Sequence, residues 1–250
     1  NDKTELIKPD LSFRFNPGDM KNHSTADRKI DTKNIFLIDR LGIGDSLETG
    51  KSLTAGIEYR NMNNLNKNEY GVKFATVFRD KEEGSIPTKS TINKKNSYLF
   101  GSADYKTSDI FNLEYNFAIN ENFEKNNNHR LNLEFQINNF VTTFNFIEEG
   151  DELGTAHIIE NNFKYQFDEK NFLSFKTRRN KEINLTEYYD IIYEYKNDCL
   201  VAGLKFNKSY YEDNDLKPTE NLMFTISIIP VTDYEQKIDQ NIYEASFLKN

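Results

Sequence analysis

The sequence predicts an all-β fold, an antiparallel transmembrane β-barrel with about 12 or 13 strands. Three observations predict it. Apolar and polar residues alternate with period two in one run after another. The runs are about 9–11 residues long, enough to cross a bilayer at a strand tilt near 45°. The connectors alternate, along much of the chain, between tight turns and long polar stretches. Short turns on one side and long loops on the other is the outer-membrane arrangement, with the short turns periplasmic.

The runs follow in order. In 51–60, Leu53, Ala55, Ile57 and Tyr59 share one face, and Ser52, Thr54, Glu58 and Arg60 take the other. In 70–79, Tyr70, Val72, Phe74, Thr76 and Phe78 stand opposite Lys73 and Arg79. Phe111, Leu113, Tyr115, Phe117 and Ile119 alternate with Asn112, Glu114 and Asn116, and 130–137 repeats the pattern with Leu131, Leu133, Phe135 and Ile137. The segments 159–167, 188–196 and 222–229 do the same. Period two makes each run half apolar and half polar, not buried on both sides. A soluble sandwich also alternates, but its strands are shorter, around 5–6 residues. Charged residues along the whole of one face favour a water-filled interior.

Lys106–Ser108, Asn138–Asn139, Asp168–Glu169 and Asn197–Asp198 are turn residues with little spare length, suited to hairpins. The stretches 61–69, 80–96, 120–129, 148–155, 179–186 and 211–220 read as long polar loops.

Composition agrees. Hydrophobic residues make up only 37%, too few for a conventional soluble core, yet Phe 20 and Tyr 14 are abundant. Disordered chains are poor in aromatics. The tyrosines Tyr188, Tyr189, Tyr193, Tyr195, Tyr210 and Tyr211 are expected near strand ends or on lipid-facing positions. No run reaches the roughly 18 apolar residues of a membrane helix. The net charge of -8 disfavours nucleic acid as a partner.

No catalytic or metal-ligating constellation is legible, so the chain is not read as an enzyme and no cofactor is expected. His23, His129 and His157 are far apart and lack ligand spacing. Glu212-Asp213-Asn214-Asp215 lacks the glycine and final Glu of a calcium loop and reads as a solvated hairpin. Lys73, Arg79, Lys164, Lys176 and Arg178 are candidate lumen-facing basic residues, or the ordinary polar face of any water-filled barrel. The lone Cys199 is either a small buried or lumen-facing residue or one half of a bridge whose partner lies outside this sequence.

Two stretches carry a family resemblance. Asn34–Tyr59 reads as a strand ending in Asp39-Arg40, then Gly44 followed directly by Asp45, then a strand containing Gly56, with Gly50 before it. The stretch 101–230 contains a strand, a Ser-Asp turn, an aromatic strand, and closing hairpins with Asp198-Cys199 in a tight turn. Lys8–Phe15 reads as a strand preceding the first motif. These resemble the lipopolysaccharide-assembly family LptD (organic solvent tolerance proteins), of alphaproteobacterial type. The resemblance implies that 1–230 is the C-terminal portion of a larger barrel, with 231–250 a tail beyond Pro230. It implies insertion of lipopolysaccharide into the outer leaflet of a Gram-negative outer membrane. Implied partners are lipopolysaccharide, membrane lipids, an LptE-like lipoprotein plug, and a periplasmic Lpt bridge reached through an N-terminal jellyroll outside this sequence. Cys199 would then join one inter-region disulfide. A passive diffusion porin shares the alternation and turn asymmetry and is the competing expectation.

Overall fold

The computed structural model describes residues 3–63, 65, 67–108, 110–122, 126–210 and 218–228. The tail 231–250, Pro230, Tyr211 and the acidic stretch 212–215 lie outside the described residues.

Among the described residues twelve strands form one antiparallel sheet: β1 (Lys3–Asn16), β2 (Gly50–Asn63), β3 (Asn68–Arg79), β4 (Leu99–Thr107), β5 (Phe111–Ile119), β6 (Asn126–Ile137), β7 (Phe140–Glu149), β8 (His157–Gln166), β9 (Asn171–Asn180), β10 (Leu185–Lys196), β11 (Leu200–Ser209) and β12 (Thr219–Ile228). Each strand pairs with its neighbours in sequence. Among the described residues β1 pairs only with β2 and β12 only with β11, so each keeps one free edge.

The register divides every strand between two faces. Thr54 of β2 pairs with Val77 of β3, Ala75 with Phe100 of β4, and Phe100 with Ala118 of β5. These belong to the inner face, together with Glu58, Lys73, Glu114, Asn132, Lys176 and Asp190. The outer face carries Leu53, Phe74, Phe117, Leu133, Phe163, Ile191 and Phe224. Its apolar residues are half-buried among themselves in the middle strands and most exposed on the end strands, where Phe13 and Leu222 are each 70% exposed.

Two ends follow from the connectors. One end holds 64–67, 108–110, Asn138–Asn139, 167–170 and 197–199, all short. The other holds 17–49, 80–98, 120–125, 150–156, 181–184 and 210–218. The expected long loop at 61–69 is a correction: β2 and β3 continue into it, because Asn61 pairs with Tyr70 and Asn63 with Asn68. That change makes this connector a short turn, and the long loop expected at 179–186 is likewise corrected to the four residues 181–184, because Leu185 pairs with Asn180.

Turn chemistry explains the short end. Asn138 and Ser108 have positive φ, 49° and 45°, and Asn tolerates that conformation best after glycine. Asn197 Oδ1 accepts from the N–H of Cys199 at 3.0 Å and of Leu200 at 2.7 Å. Asp168 accepts from the N–H of Lys170 and Asn171, which holds its carboxyl below the usual range. Just inside this end the outer face is ringed by aromatics. Tyr59 lies 5.9 Å from Tyr70, Tyr105 lies 6.1 Å from Phe111, and Tyr165 lies 5.0 Å from Phe167.

The expected strand ending at Asp39-Arg40 is not formed; residues 32–40 are turns. Asp31 Oδ1 accepts from the N–H of Lys33 and Asn34, at 2.8 and 3.0 Å, and so draws off groups a strand would need. Tyr188 lies near the start of β10, on the inner face opposite Ser209 and Arg178, and Tyr189 falls on the outer face. An irregularity between Thr186 and Tyr188 shifts the phase there.

Candidate functional site

The inner face of β3–β5 is covered near the long-loop end. Ala75, Val77, Phe100 and Ala118 are buried beneath Ile30, Ile35, Leu41, Ile43, Ile86 and Ile92 from insertions 17–49 and 80–98. Backbone bonds from His23 N–H to Ser85 O (2.9 Å) and Thr88 N–H to Ser24 O (3.0 Å) join the insertions. The long polar loop expected at 80–96 therefore contains buried side chains that fill the inner face.

Polar contacts fix the insertion to the sheet. Arg40, with a fully buried side chain, donates to both oxygens of Glu48 at 2.6 and 2.5 Å and to Thr54 Oγ1 and Ser52 Oγ of β2. Arg79 of β3 joins the same carboxylate. Arg14 of β1 donates to the carbonyls of Ile38, at 2.7 Å, and Leu37. Burial pushes the Glu48 carboxyl up, but the hydrogen bond from Arg40 and the charges of Arg40, Arg79 and Arg14 outweigh it and hold it below the usual value. A second line runs deeper across the sheet. Thr32 Oγ1 bonds Ser102 Oγ at 2.9 Å, Lys33 pairs with Glu114 at 2.5 Å, and Lys29 pairs with Glu149 at 2.5 Å. Arg130 binds the other oxygen of Glu149 at 2.6 Å.

Beyond this filling the inner face stays open and charged. Arg178 lies 3.3 Å from Glu160 and 2.7 Å from Glu187, and Lys205 lies 3.4 Å from Asp190. Lys164 sits over the Phe172 ring at 4.8 Å and Lys176 over Tyr188 at 5.7 Å. Between the two regions lies a cavity of about 340 Å³ under residues 29–33, floored by β4–β8.

The five basic candidates thus share one face of the sheet but not one environment. Lys164, Lys176 and Arg178 are near one another in the open region, Lys73 lies 5.3 Å over Phe36 of the insertion, and Arg79 is buried in the Glu48 cluster. The motif residues Asp39, Arg40, Gly44, Asp45 and Gly56 serve the insertion. Asp39 accepts from the Gly42 N–H at 2.9 Å, and Asp45 pairs with Lys21 at 2.7 Å and His23 at 3.4 Å. Gly44 lies in open space. A Cβ at Gly56 would stand 2.8 Å from Phe36 Cζ, so glycine lets that ring lie against β2. Cys199 is exposed in the turn between β10 and β11, at the short-turn end. Among the described residues no group of His, Cys, Asp and Glu is arranged to hold a metal ion.

Glu48, Lys29 and Glu149 had no distinguishing local pattern in the sequence. The covered patch did leave a signal: Ala75 and Val77 make the end of β3 apolar on both faces, which marks a strand covered on both sides.

No protein-family model matches the chain, and no curated protein matches it. Among solved structures, a double mutant of the Rh. blastica porin is similar at 8% identity over 81% of this chain and 84% of that chain, with a TM-score of 0.34. A likeness this loose carries no functional weight.

Proposed function

We propose that this chain is an outer-membrane β-barrel of a Gram-negative bacterium whose charged inner face passes polar solutes. The observation that carries the reading is the strand-by-strand opposition of the two faces. Leu11, Phe13, Phe74, Ile191, Phe224 and Ile228 are exposed on one, and Lys164, Lys176, Arg178 and Asp190 line the other. A continuous exposed apolar face on this scale needs a lipid or protein cover. The aromatic ring at the short-turn end fits a membrane interface, with the short turns periplasmic and the insertions entering from outside. Bare strand edges do not persist in lipid, so β1 and β12 close on each other or on further strands. Reconstitution of the full chain in planar bilayers tests this. Stepwise conductance, together with heat-modifiable migration after detergent extraction, is expected; a chain that stays soluble without detergent and carries no current overturns it.

The free edges favour a second reading, insertion of lipopolysaccharide into the outer leaflet by an LptD-like translocon. Their outward residues, Leu11 at 74% and Ile228 at 75%, are among the most exposed apolar groups of the sheet, as a seam for amphipathic lipid requires. In that reading an LptE-like lipoprotein would occupy the open inner face, the Lpt bridge would deliver lipid, and the exposed Cys199 would pair with a cysteine outside this sequence. Depletion of the full-length protein would then strip lipopolysaccharide from the cell surface. Unchanged surface lipopolysaccharide with lost solute uptake rejects it in favour of the passage.

A further inference from the structure

We propose that the cavity beneath residues 29–33 binds a neutral polyhydroxylated solute, a simple sugar being the smallest of the class; this rests on reading the inner face as a passage. At about 340 Å³ the cavity has room for roughly 11 waters at about 30 Å³ each. The charges that line it are already engaged. Lys29 and Arg130 share Glu149, Lys33 holds Glu114, Glu160 meets Arg178, and Asp31 accepts the N–H of Lys33 and Asn34. An incoming ion would have to break one of these pairs.

What the cavity offers instead is amides. Asn116, Asn132 and Asn145 lie along β5–β7, with Asn132 and Asn145 directly opposite each other. An amide sets a donor beside an acceptor, and a sugar hydroxyl can both donate and accept. Two buried polar atoms at this site, Asn116 Oδ1 and Arg130 Nε, lack a partner. One accepts and the other donates, a complementary pair that a hydroxyl can meet once the two side chains turn toward the cavity. Ile147, backed by the buried Ile30 and Phe100, gives one side of the cavity an apolar lining for the C–H face of a ring.

Saturation-transfer NMR on the full chain in detergent micelles, with D-glucose as probe, tests the site apart from transport. Saturable transfer is expected, weakened roughly tenfold in Asn116→Ala and in Asn145→Ala, a factor typical of one lost polar contact. Heat-modifiable migration checks that each variant remains folded, and the two variants stand in for each other. The proposal is overturned by a wild-type chain with no saturable glucose signal, by glucose binding unchanged in both variants, or by gluconate or glucosamine binding at least as tightly as glucose. Bilayer conductance without sugar binding removes the sugar site and leaves the passage. Sugar binding without conductance removes the passage and leaves the site.

Discussion

The inner face of β3–β5 and the inner face of β8–β11 arise from the same alternation and meet different surroundings. In the first, Ala75, Val77, Phe100 and Ala118 are buried beneath the two insertions. In the second, Lys164, Lys176, Asp190 and Lys205 stay partly open; the Asp190–Lys205 pair runs between adjacent strands, and Lys164 and Lys176 sit over the Phe172 and Tyr188 rings. Period two decides which face a residue takes. What covers that face is decided by chain that carries no period at all. The covered region joins distant parts of the sequence, whereas the open region holds itself together through register.

The sharpest way to break the contrast is to remove one carboxylate from each region. Glu48→Ala leaves Arg40 and Arg79 buried without their partner and is expected to cost about 3–5 kcal/mol. Glu160→Ala removes a half-open pair with Arg178 and is expected to cost less than about 1 kcal/mol. Urea unfolding in lipid vesicles compares them, and equal losses would erase the distinction. Next in size, Val77→Asp puts a carboxylate under the insertions and should cost about 2–4 kcal/mol. Val201→Asp, on the open inner face of β11, should stay within about 1 kcal/mol.

Acid provides a gentler probe. Because the folded Glu48 carboxyl lies below its ordinary value, its stabilisation is complete above the unfolded value of about 4.3 and fades as pH falls through the lower folded value. Protease cleavage within 17–49 should therefore rise only below about pH 4.3, with cutting of the open region unchanged. Acid-independent cleavage of 17–49 would separate its stability from Glu48. The smallest expected effect is on selectivity. Lys164→Glu with Lys176→Glu should shift the reversal potential in a salt gradient toward cations, with stability altered by no more than about 1 kcal/mol.

The strand faces were legible because side chains alternate. Phe111 to Ile119 and Leu131 to Ile137 took the faces their pattern required. The short turns were legible because Asn138 and Asn197 carry their own turn chemistry. The insertions were not. Ile86 and Ile92 are isolated apolar residues in polar sequence, and their burial depends on a surface supplied by strands elsewhere. Arg40 looked like the end of a strand, and only the fold shows the Glu48, Thr54 and Ser52 oxygens around it. The irregularity between Thr186 and Tyr188 was not legible, because one extra residue changes the phase of a strand without changing its composition.

The Lys29–Glu149 pair spans 120 positions of the chain. Every strand pairing links sequence neighbours and can form hairpin by hairpin, with little loop entropy to overcome at each step. The contact from Lys29 has nothing to grip until β7 stands in the sheet, although its own segment is made before β2. The contact from Lys29 is thus completed late, although its segment precedes β2 in the chain. During assembly the cover would settle over β1–β5 first, through Arg40, Thr32 and Lys33, and would reach across to β7 only when that strand is in place.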